Sequence, residues 1–258
     1  MAWWGKLIGG TVGFMFGGPL GALLGGSVGH QFDARQRRSE GSGFLPGNQE
    51  RTQAAFFTAT FSVMGHLAKA DGQVSPQEIQ AASSVMSQMH LTHSQRQAAI
   101  DLFEKGKESD FPLDDVLRQF RTECHRRETL LCMFLEIQVQ AALADGRVDT
   151  EENRILLHVA ELLGFGSDQI SHLINFTRST ESGPANQEKS LEEAYKVLGV
   201  DPSSNDKAIK TAYRRLMSRH HPDKLVAKGL PEEMMQLATD KTKEIQQAWE
   251  RIRKHRHT

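Results

Sequence analysis

His221-Pro222-Asp223 sets an imidazole and a carboxylate on either side of a proline. Such a pair suits acid–base work where a pocket excludes water and shifts a pKa. The flanking patterns instead place it at the tip of a helical hairpin, where no pocket is expected. Other chemistry-bearing groups fare no better. Asp71 and Glu78, and Asp145, Asp149 and Glu152, sit in two Asp-Gly turns that match the second half of a calcium loop. The first half fails, because its first and third ligand positions fall on Leu67 and Lys69, and on Ala141 and Leu143, none of which supplies the needed oxygen. Cys124, His125 and Cys132 lack metal-ligand spacing. The N-terminal glycines follow no strand, so they are not a nucleotide fingerprint. The expectation is therefore no catalytic residue, no metal, no cofactor and no enzyme activity.

The elements around the tip carry more information. Ile209, Ala212, Tyr213, Leu216 and His220 share one side of a helical wheel from Lys207 to His220, and Lys207, Lys210, Arg214 and Arg215 share the other. Pro222 disfavours helical geometry at His221 and ends that helix. A short polar loop follows, then a second helical pattern through Met234, Leu237, Ala238, Ile245, Ala248, Trp249 and Ile252. The tip should thus stand in water with nothing to pack on. Upstream, Leu191–Val200 predicts a short helix with Gly199 beyond its last turn. Asp201–Asn205 reads as a turn and helix start.

From Gln49 to Phe176 the apolar period is helical nearly throughout. An internal repeat aligns Ala68–Glu78 with Ala142–Glu152. Each copy ends one helix, turns at Asp-Gly and starts another. Ser75 is the expected N-cap, Pro76 the first helical residue and Glu78 the partner of a capping box; Asp149 and Glu152 repeat the device. Ser39–Gly47 and Arg178–Ser190 are polar, glycine- or proline-bearing linkers, the second leaving the C-terminal unit free to move. Cys124 and Cys132, eight apart in a helical pattern, are expected on one face, reduced and too distant to bridge. With 38% hydrophobic residues, 24% charged and a net charge of −1, the chain is an ordinary globular composition with no nucleic-acid signature.

Leu7–Val28 carries no charge over 22 residues, enough to cross a bilayer as a helix. Gly9, Gly13, Gly17, Gly21, Gly25 and Gly29 recur at every fourth position. Glycines at that spacing cost a helix stability in water but let two helices approach closely in lipid, so a self-associating span and a homodimer are expected. A soluble glycine-rich arm, and a hairpin broken at Gly17-Gly18-Pro19, are the competing readings. Lys6 precedes the segment and Arg35, Arg37 and Arg38 follow it, which keeps the bulk of the chain cytoplasmic. The terminal Arg251, Arg253, Lys254, His255, Arg256 and His257 read as a solvated helix end, with contact to acidic lipid as the alternative.

Four blocks agree in order and spacing with a DnaJ-type J domain: Tyr195–Val200, Ile209–Leu216, His221-Pro222-Asp223-Lys224 and Ile245–Trp249. The repeat resembles the TerB-like (tellurite-resistance) helical domain. A glycine-rich anchor, a TerB-like domain and a C-terminal J domain in that order resemble the DjlA-type membrane-anchored DnaJ-like family. The resemblance implies a co-chaperone that binds a DnaK-type chaperone and stimulates its ATP hydrolysis. His221, Pro222 and Asp223 would be the signalling loop, with Lys224 beside it also chaperone-binding and Lys207, Lys210, Arg214 and Arg215 the cationic face that meets the chaperone. It departs from the fuller DnaJ pattern in lacking a Gly/Phe-rich region and Cys-x-x-Cys repeats.

The expected architecture is all-α: a transmembrane anchor over 1–35, a linker over 36–48, a TerB-like domain over 49–177, a linker over 178–190 and a J domain over 191–258. The expected location is the bacterial inner membrane, single-pass, with a short periplasmic N-terminus. The rival expectation is a membrane-bound sensor or scaffold acting through the TerB-like domain.

Overall fold

A computed structural model of the chain describes residues 18–29, 48–70, 72, 74–89, 91–144, 148–181 and 187–256. Among these the regular structure is wholly helical, as the periodicity predicts. Its elements are α1 (Pro19–Gly29), α2 (Asn48–Leu67), α3 (Pro76–Gln88), α4 (His93–Gly106), α5 (Leu113–Glu123), α6 (Glu128–Ala142), α7 (Thr150–Leu163), α8 (Ser167–Glu181), α9 (Gln187–Leu198), α10 (Asp206–His220), α11 (Pro222–Ala227), a 3-10 turn (Glu232–Met234) and α12 (Met235–Arg256).

The middle domain is built around α2. From Thr52 to Gly65 every residue of this helix is buried, and it packs on α1, α4, α5, α6 and α7. Its hydroxyls are satisfied internally: Thr58, Thr60 and Ser62 donate to the carbonyls of Ala54, Phe56 and Thr58 at 2.8, 2.7 and 2.8 Å. Phe56, Phe120 and Phe134 interlock edge-on or tilted, with ring centroids 4.8–6.4 Å apart. Where α2 crosses α4, a Cβ on Gly65 would lie 2.0 Å from the Phe103 carbonyl oxygen, and one on Gly106 1.8 Å from that of Ser62. Glycine at both positions permits backbone-to-backbone contact.

The caps expected of the repeat are present. Ser75 and Asp149 accept from the amides of Glu78 and Glu152 at 3.2 and 2.8 Å, and both glutamates return the bond at 2.6 and 2.9 Å. Asp71 and Asp145 lie outside the described residues. The cysteines differ from expectation. Cys124 caps the end of α5 and Cys132 lies within α6, with Arg126 at φ 61° turning the chain between them. They share no helix face, though both are free thiols.

The described part of the N-terminal segment also departs from the single span expected over Leu7–Val28. Helix α1 starts at Pro19, after Gly18 at φ 81°, and runs only 11 residues. Leu20, Leu23 and Leu24 enter the middle domain's core, and the Leu20 amide donates to Gln119 Oε1 at 3.0 Å. No helix among the described residues is long and apolar enough to cross a membrane. Of the glycine stripe, Gly9, Gly13 and Gly17 lie outside the described residues; Gly21 is buried, Gly25 is exposed and Gly29 ends the helix.

At the C-terminus, α9, α10 and α12 enclose their own core of Ala194, Tyr195, Val197, Leu198, Ile209, Ile245, Ala248 and Ile252. Gly199 at φ 63° closes α9 as expected, the Val200 amide reaching back to the Tyr195 carbonyl at 3.0 Å. Helix α8 runs to Glu181 and α9 begins at Gln187, so the stretch expected to link the two units is helical at both ends.

Candidate functional site

Three local devices hold the His-Pro-Asp segment. Asn205 caps α10 by accepting from the Ala208 amide at 2.8 Å. His221 leaves helical geometry at φ −61°, ψ 122°, as a residue before proline must. Pro222 then opens α11, whose first turn closes with the Leu225 amide on the His221 carbonyl at 3.1 Å. The segment is thus a tight elbow between two helices rather than an open loop.

His221 and Asp223 are exposed and Pro222 is half-buried. Neither the imidazole nor the carboxylate has a hydrogen-bond partner among the described residues. Lys224 Nζ donates to Ser218 Oγ at 2.7 Å, turning that lysine back along α10. Lys207, Lys210, Arg214 and Arg215 are all exposed on α10, and none has an ion-pair partner among the described residues. The structure therefore leaves an exposed cationic stretch of α10 leading to Asp223, whose carboxylate has no partner among the described residues. That stretch suits recognition: rigid, charged and open.

The interior behind this face is the tertiary scaffold. Tyr213 and Trp249 stack at 5.0 Å and 16°. Arg256, expected to be solvated, instead donates to Tyr195 Oη at 2.8 Å, Asp206 Oδ1 at 2.7 Å and the Pro202 carbonyl at 2.7 Å. It ties the end of α12 to α9 and to the start of α10.

One expectation is corrected. His221 and Asp223 do stand exposed, but the chain after them has something to pack on. Leu225, Leu230 and Met234 have no exposed surface and, with Ala238, belong to the middle domain's core. The segment read as a short polar loop is a docked insertion. Beside it, His220 is buried with Nε2 3.6 Å from Glu136 Oε1 on α6, too long for a hydrogen bond. Burial pushes the Glu136 carboxyl up to about 7 despite Lys241 and Arg219. Burial, helped by the same two cations, pushes His220 down to about 3. A cleft of ≈ 720 Å³ opens at this junction, with Glu136, Gln169 and Leu173 on one wall and Arg215, Arg219 and Lys241 on the other. Sequence reasoning missed Leu225 and Leu230, although their apolar side chains within a polar stretch were the available signal.

Three family descriptions match the chain in order: the co-chaperone DjlA transmembrane domain over residues 1–42, the tellurite resistance protein TerB over 57–174 and the DnaJ domain over 193–257. Full-length relatives agree. The co-chaperone protein DjlA of Vibrio cholerae is 44% identical over 278 residues, covering 98% of each chain. That of Escherichia coli strain K12 is 43% identical over 271 residues and 99% of each chain, and that of Photobacterium profundum 42% over 273 residues, 98% of this chain and 99% of its own. No solved structure matches the chain.

Proposed function

The chain belongs to the co-chaperone DjlA family, and on that premise we propose that it recruits a DnaK-type chaperone to a membrane and stimulates its ATP hydrolysis. It carries a J domain behind a membrane-anchor domain. The observation that supports the finer reading is the exposed, unpaired His221-Pro222-Asp223 elbow at the end of the Lys207-Lys210-Arg214-Arg215 face. Pro222 lowers the ordering cost of binding, and Asp223 is free to accept a charge-assisted bond from an arginine of the chaperone. The cationic face speeds encounter with an acidic surface and sets its orientation. Catalysis then belongs to the chaperone's ATP site, and this chain works as its regulator without a metal or cofactor.

In the same reading the N-terminus faces the periplasm, the TerB-like and J domains face the cytoplasm, and Gly9, Gly13 and Gly17 pair two copies so that two J domains share one patch of membrane. The test is single-turnover ATP hydrolysis by a DnaK-type chaperone with the full chain in vesicles, beside the Asp223→Asn variant. Stimulation by the unaltered chain that the variant loses, with both equally folded, is the expected result. No stimulation by either sinks the reading.

A further inference from the structure

The J domain has two faces in this chain, and the middle domain holds one of them. The segment from Pro222 to Ala238 begins inside the His-Pro-Asp elbow and runs straight into a groove between the starts of α2, α4 and α6. Its apolar anchors are Leu225, Leu230 and Met234, all without exposed surface. Polar contacts fix the backbone around them. Gln53 Nε2 donates to the Leu230 carbonyl at 3.5 Å, Gln49 Nε2 to the Val226 carbonyl at 3.3 Å, Lys228 Nζ to Thr129 Oγ1 at 2.6 Å and Gln95 Nε2 to Glu233 at 2.6 Å. Gly229 passes so close that a Cβ there would sit 3.0 Å from Thr52 Cγ2 and 3.1 Å from Arg127 Nη1, and its φ of 97° is one that side chains disfavour.

We propose that this groove is an internal docking site for the J domain, and that the docked state restrains chaperone engagement. The proposal rests on the chaperone reading above. Its physical basis is covalent proximity. Leu225 lies two residues beyond Asp223 on the same short helix, so the elbow cannot shift while Leu225 is seated. Arg215, one of the four cations on the recognition face, lines the junctional cleft together with Gln169 and Leu173 of the middle domain. A globular partner that engages Arg215 must share that cleft with the middle-domain wall. Undocking opens the Arg215 side of α10 and releases the elbow from its seated Leu225 anchor, while the separate core of α9, α10 and α12 keeps the J domain folded. Stimulation then requires the minor, undocked form, and apparent affinity falls by the fraction that form occupies.

The test uses the full chain in vesicles with Gly229→Ala and, independently, Leu230→Asp, each read by hydrogen exchange over 225–238 and by single-turnover stimulation. The expected result is faster exchange in that segment, unchanged protection in α9 and α10, and half-maximal stimulation at a chain concentration lower by on the order of tenfold if about one molecule in ten is undocked at rest. Two outcomes overturn it: undocking shown by exchange with stimulation unchanged or weakened, or a segment that exchanges freely in the unaltered chain. Asp223→Asn on the undocked background separates the two claims. If the chain stimulates and this variant does not, but undocking has no effect, the docking proposal alone fails. If no form stimulates, the chaperone reading fails.

Discussion

His220 and Glu136 are neighbours across the junction, and burial disfavours the charged form of each. Their pH effects oppose. Glu136 has its folded value raised from 4.5 to about 7, so its contribution to stability is lost as pH rises through that window. His220 has its value lowered from 6.5 to about 3, so its contribution is lost as pH falls through that window. Above pH 7 only the Glu136 cost remains, the ionised carboxylate being held where Lys241 and Arg219 offset burial only in part. Glu136→Gln is therefore expected to raise the unfolding temperature at about pH 8, the shift from 4.5 to about 7 corresponding to roughly 3 kcal/mol. The gain should shrink towards about pH 5, where the wild-type carboxyl is already protonated when folded. A thermal scan at the two pH values checks it; an equal gain at both would show that packing rather than ionisation is responsible. None of this was legible in the sequence. His220 was correctly placed on the apolar side of its helix, but the partner facing it is 84 residues away.

Among the elements, α1 is where sequence and structure differ most. Glycine spacing and the absence of charge suit a helix in lipid, while Leu20, Leu23 and Leu24 are buried in protein. Each leucine can be buried in only one of these places. Leu24→Ala is expected to destabilise the middle domain by about 2–5 kcal/mol, the range for emptying a packed leucine site. Chemical denaturation of the membrane-extracted chain measures it, and an unchanged midpoint would place α1 away from that core. The other elements were easier to read because their signals are local. A serine or aspartate cap, a glutamate three residues on and a proline at the first helical position act within one turn, and the two capping boxes of the repeat stand where those residues put them.

At the scale of the molecule, charge is arranged rather than accumulated. The net charge is −1, yet Lys207, Lys210, Arg214 and Arg215 are exposed along one helix without an ion-pair partner among the described residues. Association with an acidic chaperone surface should accordingly slow as ionic strength rises from about 0.05 to about 0.5 M, because the screening length falls several-fold over that range. Lys210→Ala with Arg214→Ala should flatten the slope. A stopped-flow association series decides it, and a slope equal in both proteins would remove these residues from the encounter surface.

The order of the three domains, the helical class, the caps and the His-Pro-Asp segment with its cationic face were all determined by the sequence alone, because each depends on residues within a few turns of one another. What joins the domains was not. The glycine- and proline-bearing stretch near 178–190 suggested a freely moving J domain, and the polar residues after Asp223 suggested a solvated loop. Only the tertiary structure decided that Leu225, Leu230 and Met234 fill a groove on the middle domain. That groove is assembled from helix starts more than 90 residues away in the chain, so no local pattern announces it. Burying three apolar side chains there outweighs the freedom that the linker's composition allows.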